Sequence, residues 1–182
     1  MAKTKYVLNG GLAFSEEKDM KKLSKYAKDG WVLEGFSLLG LGYKLKKGAS
    51  QELDYSLDYQ LEADEEYFSY FKAAGWSHVC SADSAHVFGA PAGTTPIYLD
   101  RVSTIEKYTV EKQQMGKVTL ISFIATVVLF LLYFMSNQGW VPEIVGQVSY
   151  GLALISTIIL IFGGLPFIAY HFRVNKLKRK TF

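Results

Sequence analysis

The spacing of apolar positions changes several times along the chain before polar residues almost disappear in its last third. Residues 6–14 read as a strand. Ser15 follows as an N-cap, with Glu16 and Glu17 in the first turn, where the helix dipole favours acids. Met20, Leu23, Tyr26 and Ala27 then fall on one helical stripe, and Gly30 ends the helix. Residues 31–36 and 42–47 read as a strand pair. Leu53, Tyr55, Leu57, Tyr59 and Leu61 alternate with Asp54, Ser56, Asp58 and Gln60, the period of a strand with one buried face. Asp64 caps a second helix with Glu65 and Glu66 in its first turn, Phe68, Phe71 and Ala74 form its stripe, and Gly75 ends it. A hairpin of residues 76–81 and 85–89 completes the pattern. The order β-α-β-β therefore occurs twice, and the helix-Gly-Trp-strand junction recurs as Gly30-Trp31 and Gly75-Trp76, 45 residues apart. The predicted class is α+β: two βαββ units, about 5–48 and 52–90, forming an antiparallel sheet with helices on one face, followed by a two-helix transmembrane hairpin.

Two runs carry that last assignment. Residues 118–135 (VTLISFIATVVLFLLYFM) and 148–170 (VSYGLALISTIILIFGGLPFIAY) contain no Asp, Glu, Lys, Arg or His. A bilayer core takes about 20 apolar residues in a helix, and backbone groups in lipid must pair within their own segment. The expected organisation is a cytoplasmic domain over residues 1–96, a juxtamembrane linker and helix over 97–117, membrane helices over 118–135 and 148–170, an external loop over 136–147, and a basic tail over 171–182. The loop has no Lys or Arg, whereas Lys112 and Lys117 precede the first run and Arg173, Lys176, Lys178, Arg179 and Lys180 follow the second. Positive residues stay on the cytoplasmic side, so the chain is predicted to be a two-pass protein of the cell membrane with both termini cytoplasmic. The polar opening, MAKTKYVLNGG, predicts no signal peptide. Trp140 and Tyr170 suit interfacial anchors, and Gly163, Gly164 and Pro166 suit a kink near the end of the second run. An ion path needs an ionisable group inside the spans, so transport by this chain alone is not expected.

Charge changes the picture only locally. The net charge is +3, yet residues 1–112 hold 14 Lys and Arg against 16 Asp and Glu, which leaves the leading domain near −2. A nucleic-acid site wants a basic face, so none is expected. The single cysteine, Cys80, excludes an internal disulfide and fits a reducing compartment.

Candidate chemistry is sparse. His78 and Cys80, two apart, would share a strand face. A three-residue hairpin loop at 82–84 would set His86 opposite Cys80 and complete a trio able to hold zinc, whereas a two-residue loop at 83–84 puts His86 on the other face. A fourth ligand is not evident, and no metal or other cofactor is expected. Asp54, Asp58 and Glu62 line the polar side of the clearest strand and read as a solvated face rather than an acid–base pair. No nucleophile beside a base is visible, and Asn9-Gly-Gly11 is a turn rather than a phosphate cradle, so the chain is read as not an enzyme. The aromatic load of the leading domain is its one unusual property. A pocket for an apolar or cationic ligand is typically lined by such rings, and Trp31, Tyr59 and Trp76 are the predicted contacts. Asp100, Ser103, Glu106 and Tyr108 are the predicted coupling between domain and membrane.

Several short stretches carry a family likeness: Met20-Lys-Lys-Leu23 leading to Lys28-Asp-Gly-Trp31, Leu57-Asp-Tyr59, Glu66-Tyr67-Phe-Ser-Tyr-Phe71 leading to Ala74-Gly-Trp76, Val87-Phe88, and Ile97-Tyr-Leu-Asp100-Arg-Val-Ser103-Thr-Ile-Glu106-Lys-Tyr108. Over roughly residues 5–170 the chain resembles bacterial membrane-associated proteins that share domain of unknown function 2812 (DUF2812). It departs from them in the first helix, which is lysine-rich where members usually carry an acidic residue and Trp before the Leu. The resemblance implies work beside PadR-type transcription regulators and efflux systems, and it brings no catalytic residue. Two βαββ units side by side also resemble the effector domains of multidrug-responsive regulators, a likeness of fold alone. The expected function is that of a membrane-anchored, non-enzymatic regulator or sensor whose cytoplasmic domain binds a partner protein or a small amphipathic ligand. The alternative is an accessory or immunity protein whose helix pair acts on a transporter subunit or an antimicrobial peptide, using Gly146, Gly151, Gly163 and Gly164 for close packing. Homo-oligomerisation is left open.

Overall fold

The structure, a computed structural model, describes residues 3–98 and 101–179. Its elements are β1 (Thr4–Leu8), α1 (Leu12–Lys28), β2 (Trp31–Ser37), β3 (Gly42–Lys47), β4 (Leu53–Tyr59), α2 (Glu65–Ala73), β5 (Ser77–Ala82), β6 (Ala85–Pro91), α3 (Arg101–Asn137) and α4 (Glu143–Arg179). The chain divides into two compact units between Tyr108 and Thr109.

The first unit is α+β and repeats β-α-β-β, as its hydropathy pattern predicts. Its strands form two antiparallel three-stranded sheets, ordered β1-β3-β2 and β4-β6-β5. β2 lies beside β5, yet the two share no ladder among the described residues. Both of these strands are bulged, β2 between Leu33 and Gly35 and β5 between His78 and Cys80. A bulge bends its strand and raises the local twist, which accounts for two sheets where the pattern suggested one continuous sheet. α1 packs on β4 as well as β2 and so bridges the sheets, while α2 packs on β5.

Local chemistry sets the element ends. The first strand stops at Leu8, not at residue 14, because α1 begins at Leu12 behind the N-cap Gly11. Ser15 does not cap. It interrupts the helical backbone (φ −133°), and its hydroxyl donates to the Asp19 carboxylate at 3.2 Å, which also accepts from the Gly10 amide at 3.0 Å. Asp64 does cap α2, accepting from the Tyr67 amide at 2.8 Å. Gly30 (φ +74°) and Gly75 (φ +86°) take the left-handed conformation that stops each helix.

The second sheet buries both faces. Tyr55, Leu57, Tyr59 and Val87 are buried on one, and Asp58, His86, Phe88 and Ala90 on the other. Trp76, Phe88 and Ala90 form a core against which Tyr67, Phe68, Phe71 and Ile97 pack.

In the second unit, α3 and α4 each outrun the apolar segments read from sequence, so the connector shrinks from residues 136–147 to 138–142. Each helix is long and apolar enough to cross a membrane, and only 11% of either apolar window is buried. The residues between them are small or hydroxylic: Ser122, Thr126, Ser149, Ala153, Ser156 and Gly163. The Thr126 and Ser156 hydroxyls lie 2.8 Å apart, and each also stands within hydrogen-bond reach of the Ser122 carbonyl. Large apolar side chains such as Ile121, Phe123, Leu131 and Phe162 point outward.

Candidate functional site

Lys107 lies on the opening turns of α3. Its ammonium forms an ion pair with Glu16 of α1 and donates to the Leu57 carbonyl of β4. Both side chains are more than nine-tenths buried. The rings of Tyr98, Tyr108 and Tyr59 surround the same ammonium, with centroids 5.0, 5.2 and 5.6 Å away. A buried charge needs an opposite charge and hydrogen bonds to offset desolvation, and aromatic faces add attraction of their own. The arrangement therefore fixes the head of α3 to both α1 and β4.

A groove of about 300 Å³ opens beside this pair. One wall is α1, with Glu16, Glu17, Met20, Lys21 and Ser24 at helical spacing, and the other is β4, from Asp54 to Leu57. Trp76, Thr94 and Pro96 close it. Among the described residues β4 is an edge strand whose ladder neighbour is β6, so half of its backbone groups point away from the sheet on this side. Asp54 accepts from the Gly93 amide at 3.0 Å, and the Trp76 indole donates to the Thr95 carbonyl at 2.9 Å, so both are held in place. Glu16 belongs both to the groove and to the Lys107 pair.

On the other face of β4, Asp58 is buried and accepts hydrogen bonds from the Tyr67 hydroxyl, at 2.8 Å, and from the Tyr98 hydroxyl. Burial first, and the Asp58 charge second, push both phenols above their ordinary pKa, which keeps them as donors. Next to them runs a second chain of polar groups. His86 Nε2 lies 2.9 Å from the Gln60 carbonyl, which can only accept, so Nε2 carries a hydrogen. Ser81 Oγ bridges the two imidazoles, 2.7 Å from His86 Nδ1 and 2.8 Å from His78 Nε2. Phe68 packs on both imidazoles, with centroids 4.6 and 5.6 Å away. Burial, and then the neighbouring His86, hold the His78 pKa below its ordinary value.

The residues singled out from sequence are scattered by this geometry. Trp76 lines the groove. Trp31 sits on the first sheet between the ammonium groups of Lys5 and Lys47, 5.6 and 5.1 Å from its ring, and Tyr59 lies beside Lys107. Among the described residues lining the groove, Trp76 is present and Trp31 and Tyr59 are not. The His78, Cys80 and His86 trio is split as well. The hairpin turns through Asp83 and Ser84, and the bulge after His78 rotates Cys80 opposite Val87 while Ser81 faces His86. His78 and Cys80 thus lose the shared face that a regular strand would give them. No three His, Cys, Asp or Glu side chains converge on a common point among the described residues. Burial pushes the Cys80 thiol up to about 12. Of the coupling residues, Tyr108 is in the Lys107 cage, Ser103 is half-buried, Glu106 is exposed, and Asp100 lies outside the described residues. Asp58 is buried, not solvated. Lys107, the residue on which the arrangement turns, carries no sequence signal, since its partner is 91 positions away.

A family described as protein of unknown function (DUF2812) matches residues 15–123, more than half of the chain. The chain belongs to the DUF2812 family. No curated protein and no solved structure matches it. The DUF2812 region contains both members of the Glu16–Lys107 pair, every residue of the groove, and Asp58 with its two tyrosines. It ends inside α3, short of α4.

Proposed function

We propose that this DUF2812 chain is a membrane-anchored, non-enzymatic regulator. In this reading α3 and α4 hold it in the cell membrane with both termini on the cytoplasmic side, and the α+β unit binds a small amphipathic ligand and a partner protein. The partner class that the family resemblance favours is a PadR-type transcription regulator working with an efflux system. The observation that carries the reading is the double membership of Glu16: it forms part of the groove wall and it holds Lys107 at the head of α3. Whatever occupies the groove lies against the residue that holds Lys107, and a ligand shifts an equilibrium only through such differential contact.

The helix seam argues against the accessory alternative. Gly146, Gly163 and Gly164 face Ser136, Val118 and Thr119 of the neighbouring helix, so the hairpin itself uses three of the four glycines, while Gly151 faces open space. The test is affinity purification of the full chain from its native membrane in mild detergent, beside a version whose two apolar helices are replaced by an unrelated helix pair. A soluble transcription regulator recovered with both supports the proposal. A transporter subunit recovered only with the native helices overturns it, as does recovery of no partner with either.

A further inference from the structure

We infer that one end of the first repeat is a docking surface for an anionic lipid bilayer: Leu8, Phe14, Leu38 and Leu41 enter the lipid interface, and Lys18 and Lys22 meet its headgroups. None of these residues lines the groove, and docking there shares only the membrane anchor with the regulatory reading. The four apolar side chains come from two loops at one end of the first sheet. Leu8 closes β1, opposite Gly42, and Phe14 follows in the first turn of α1. Leu38 and Leu41 belong to the turn between β2 and β3. The loops are tied together, since the Asn9 amide donates to the Leu41 carbonyl at 3.1 Å and the Asn9 side chain donates to the Gly40 carbonyl at 2.6 Å. All four side chains are more than half exposed. Single exposed apolar residues are ordinary, but four on one braced rim make a patch that calls for a partner. Leu38 has φ +51°, a left-handed conformation that strains a residue with a β-carbon, so a leucine is held outward here on costly backbone.

Charge names the partner. Residues 1–50 hold ten Lys against five Asp and Glu, whereas residues 51–96 hold one Lys against eight acids, so the two repeats are oppositely charged. The surplus of lysine in the first repeat stands with every one of its acids counted as charged. Lys18 and Lys22 are one helical turn apart on α1, and the Lys22 ammonium donates to the Leu8 carbonyl at 3.0 Å, which places positive charge on the rim itself. An anionic bilayer offers both things the rim needs: headgroups for the ammonium groups and an apolar interior for the large side chains. A nucleic acid offers only the charge. A second copy meeting the rim with its own rim brings lysines against lysines. The path of the chain supplies proximity. It leaves this unit at Tyr108, next to Lys107, and the Lys107 ion pair holds that point to Glu16, two residues from Phe14. With α3 and α4 in a bilayer, a short stretch of chain tethers the rim to lipid, and tethering raises the effective concentration seen by a weak site.

The test uses the full chain with Cys80→Ala and Leu38→Cys, the new thiol carrying an environment-sensitive nitrobenzoxadiazole label, in vesicles of phosphatidylcholine alone or mixed with phosphatidylglycerol. Both leaflets then have one composition, so the result does not depend on which way the chain inserts. In the mixed vesicles the label is expected to shift to the blue and to be quenched by lipids spin-labelled on the acyl chain. In phosphatidylcholine alone it is expected to do neither. Salt at about 1 M, where the screening length is about 3 Å, is expected to reverse the shift. A lysine near an anionic surface is worth about fivefold, so Lys18→Gln with Lys22→Gln is expected to lower the docked-to-free ratio about 25-fold. Tyr70→Cys, exposed on the second repeat, carries the same label as a reference and is expected not to respond. Melting of the variants checks their folding, and Lys18→Gln alone, at an exposed position, decides the matter through its own loss of about fivefold if Lys22→Gln disturbs β1. Equal quenching in both kinds of vesicle, or none in either, overturns the inference. So does a blue shift without quenching by lipid, which reports a second copy or another protein surface at the rim. Flotation of the unlabelled chain with vesicles reads the anchor, and the purification above reads the regulatory partner, so neither failure is mistaken for failure of docking.

Discussion

Gly30 and Gly75 occupy the same place in the two repeats but pay different penalties for a side chain. Both have positive φ, where a β-carbon costs about 1–2 kcal/mol. A β-carbon on Gly75 meets only the Thr94 methyl at 3.5 Å, whereas one on Gly30 comes within 2.8 Å of the Gly48 carbonyl oxygen. Gly75→Ala is expected to destabilise the protein by about 1–2 kcal/mol and Gly30→Ala by about 2–4 kcal/mol, since overpacking adds to strain. Denaturant melts of the full chain in detergent check the order, and equal losses would deny the close approach at Gly30. These glycines were legible in the sequence because a helix stop is a local event. Asp58 was not. Its alternation with Tyr55, Leu57 and Tyr59 is that of a solvated strand face, and only the arrival of Tyr67 from α2 and of Tyr98 buries it. The split of His78 from Cys80 was illegible for a related reason, since a bulge leaves no mark on a period-two pattern.

Among the elements, the repeated β-α-β-β order was readable because each strand and helix carries its own period, and the Asp64 cap and the Gly stops sit where local chemistry puts them. What joins the elements was not readable. Glu16 looked like a first-turn acid serving the helix dipole, yet it is buried against Lys107, from the far end of the unit. That pair gives a prediction at this scale. Lys107→Met leaves Glu16 buried without its counter-charge and is expected to cost about 3–5 kcal/mol. Glu16→Leu is expected to cost a similar amount by stranding the ammonium. The double substitution removes both charges and is expected to fall within about 1 kcal/mol of the wild type, so the two losses do not add. Melting of the four proteins in one detergent measures the coupling. A double variant as unstable as the sum of the singles would mean that the charges act independently.

Over the whole molecule, the distribution of polarity inverts between the units. The first buries Leu23, Leu45, Leu57 and Phe88 and exposes charge, whereas the second buries Ser122, Thr126 and Ser156 and exposes Ile121, Phe123 and Phe162. A helix pair with hydroxyls inside and large apolar side chains outside suits apolar surroundings, in keeping with the proposed membrane anchor. This was the most legible feature of the chain, because an apolar run of bilayer length needs no tertiary partner to reveal it. Orientation follows from charge outside the runs. The connector, residues 138–142, has no Lys or Arg, while α4 ends on Lys176, Lys178 and Arg179. In the proposed two-pass arrangement, positive-inside placement is expected to put the connector outside and the α4 end in the cytoplasm. With Cys80 replaced by Ala, Gln138→Cys is expected to react with a membrane-impermeant maleimide on intact cells, and Lys178→Cys only after the cells are opened. Both positions are exposed, so failure to react reports the barrier and not burial. The reverse pattern would place the α+β unit and its groove outside the cell, beyond reach of any transcription regulator. Labelling of both positions on intact cells would mean that the two helices do not form a hairpin across the bilayer.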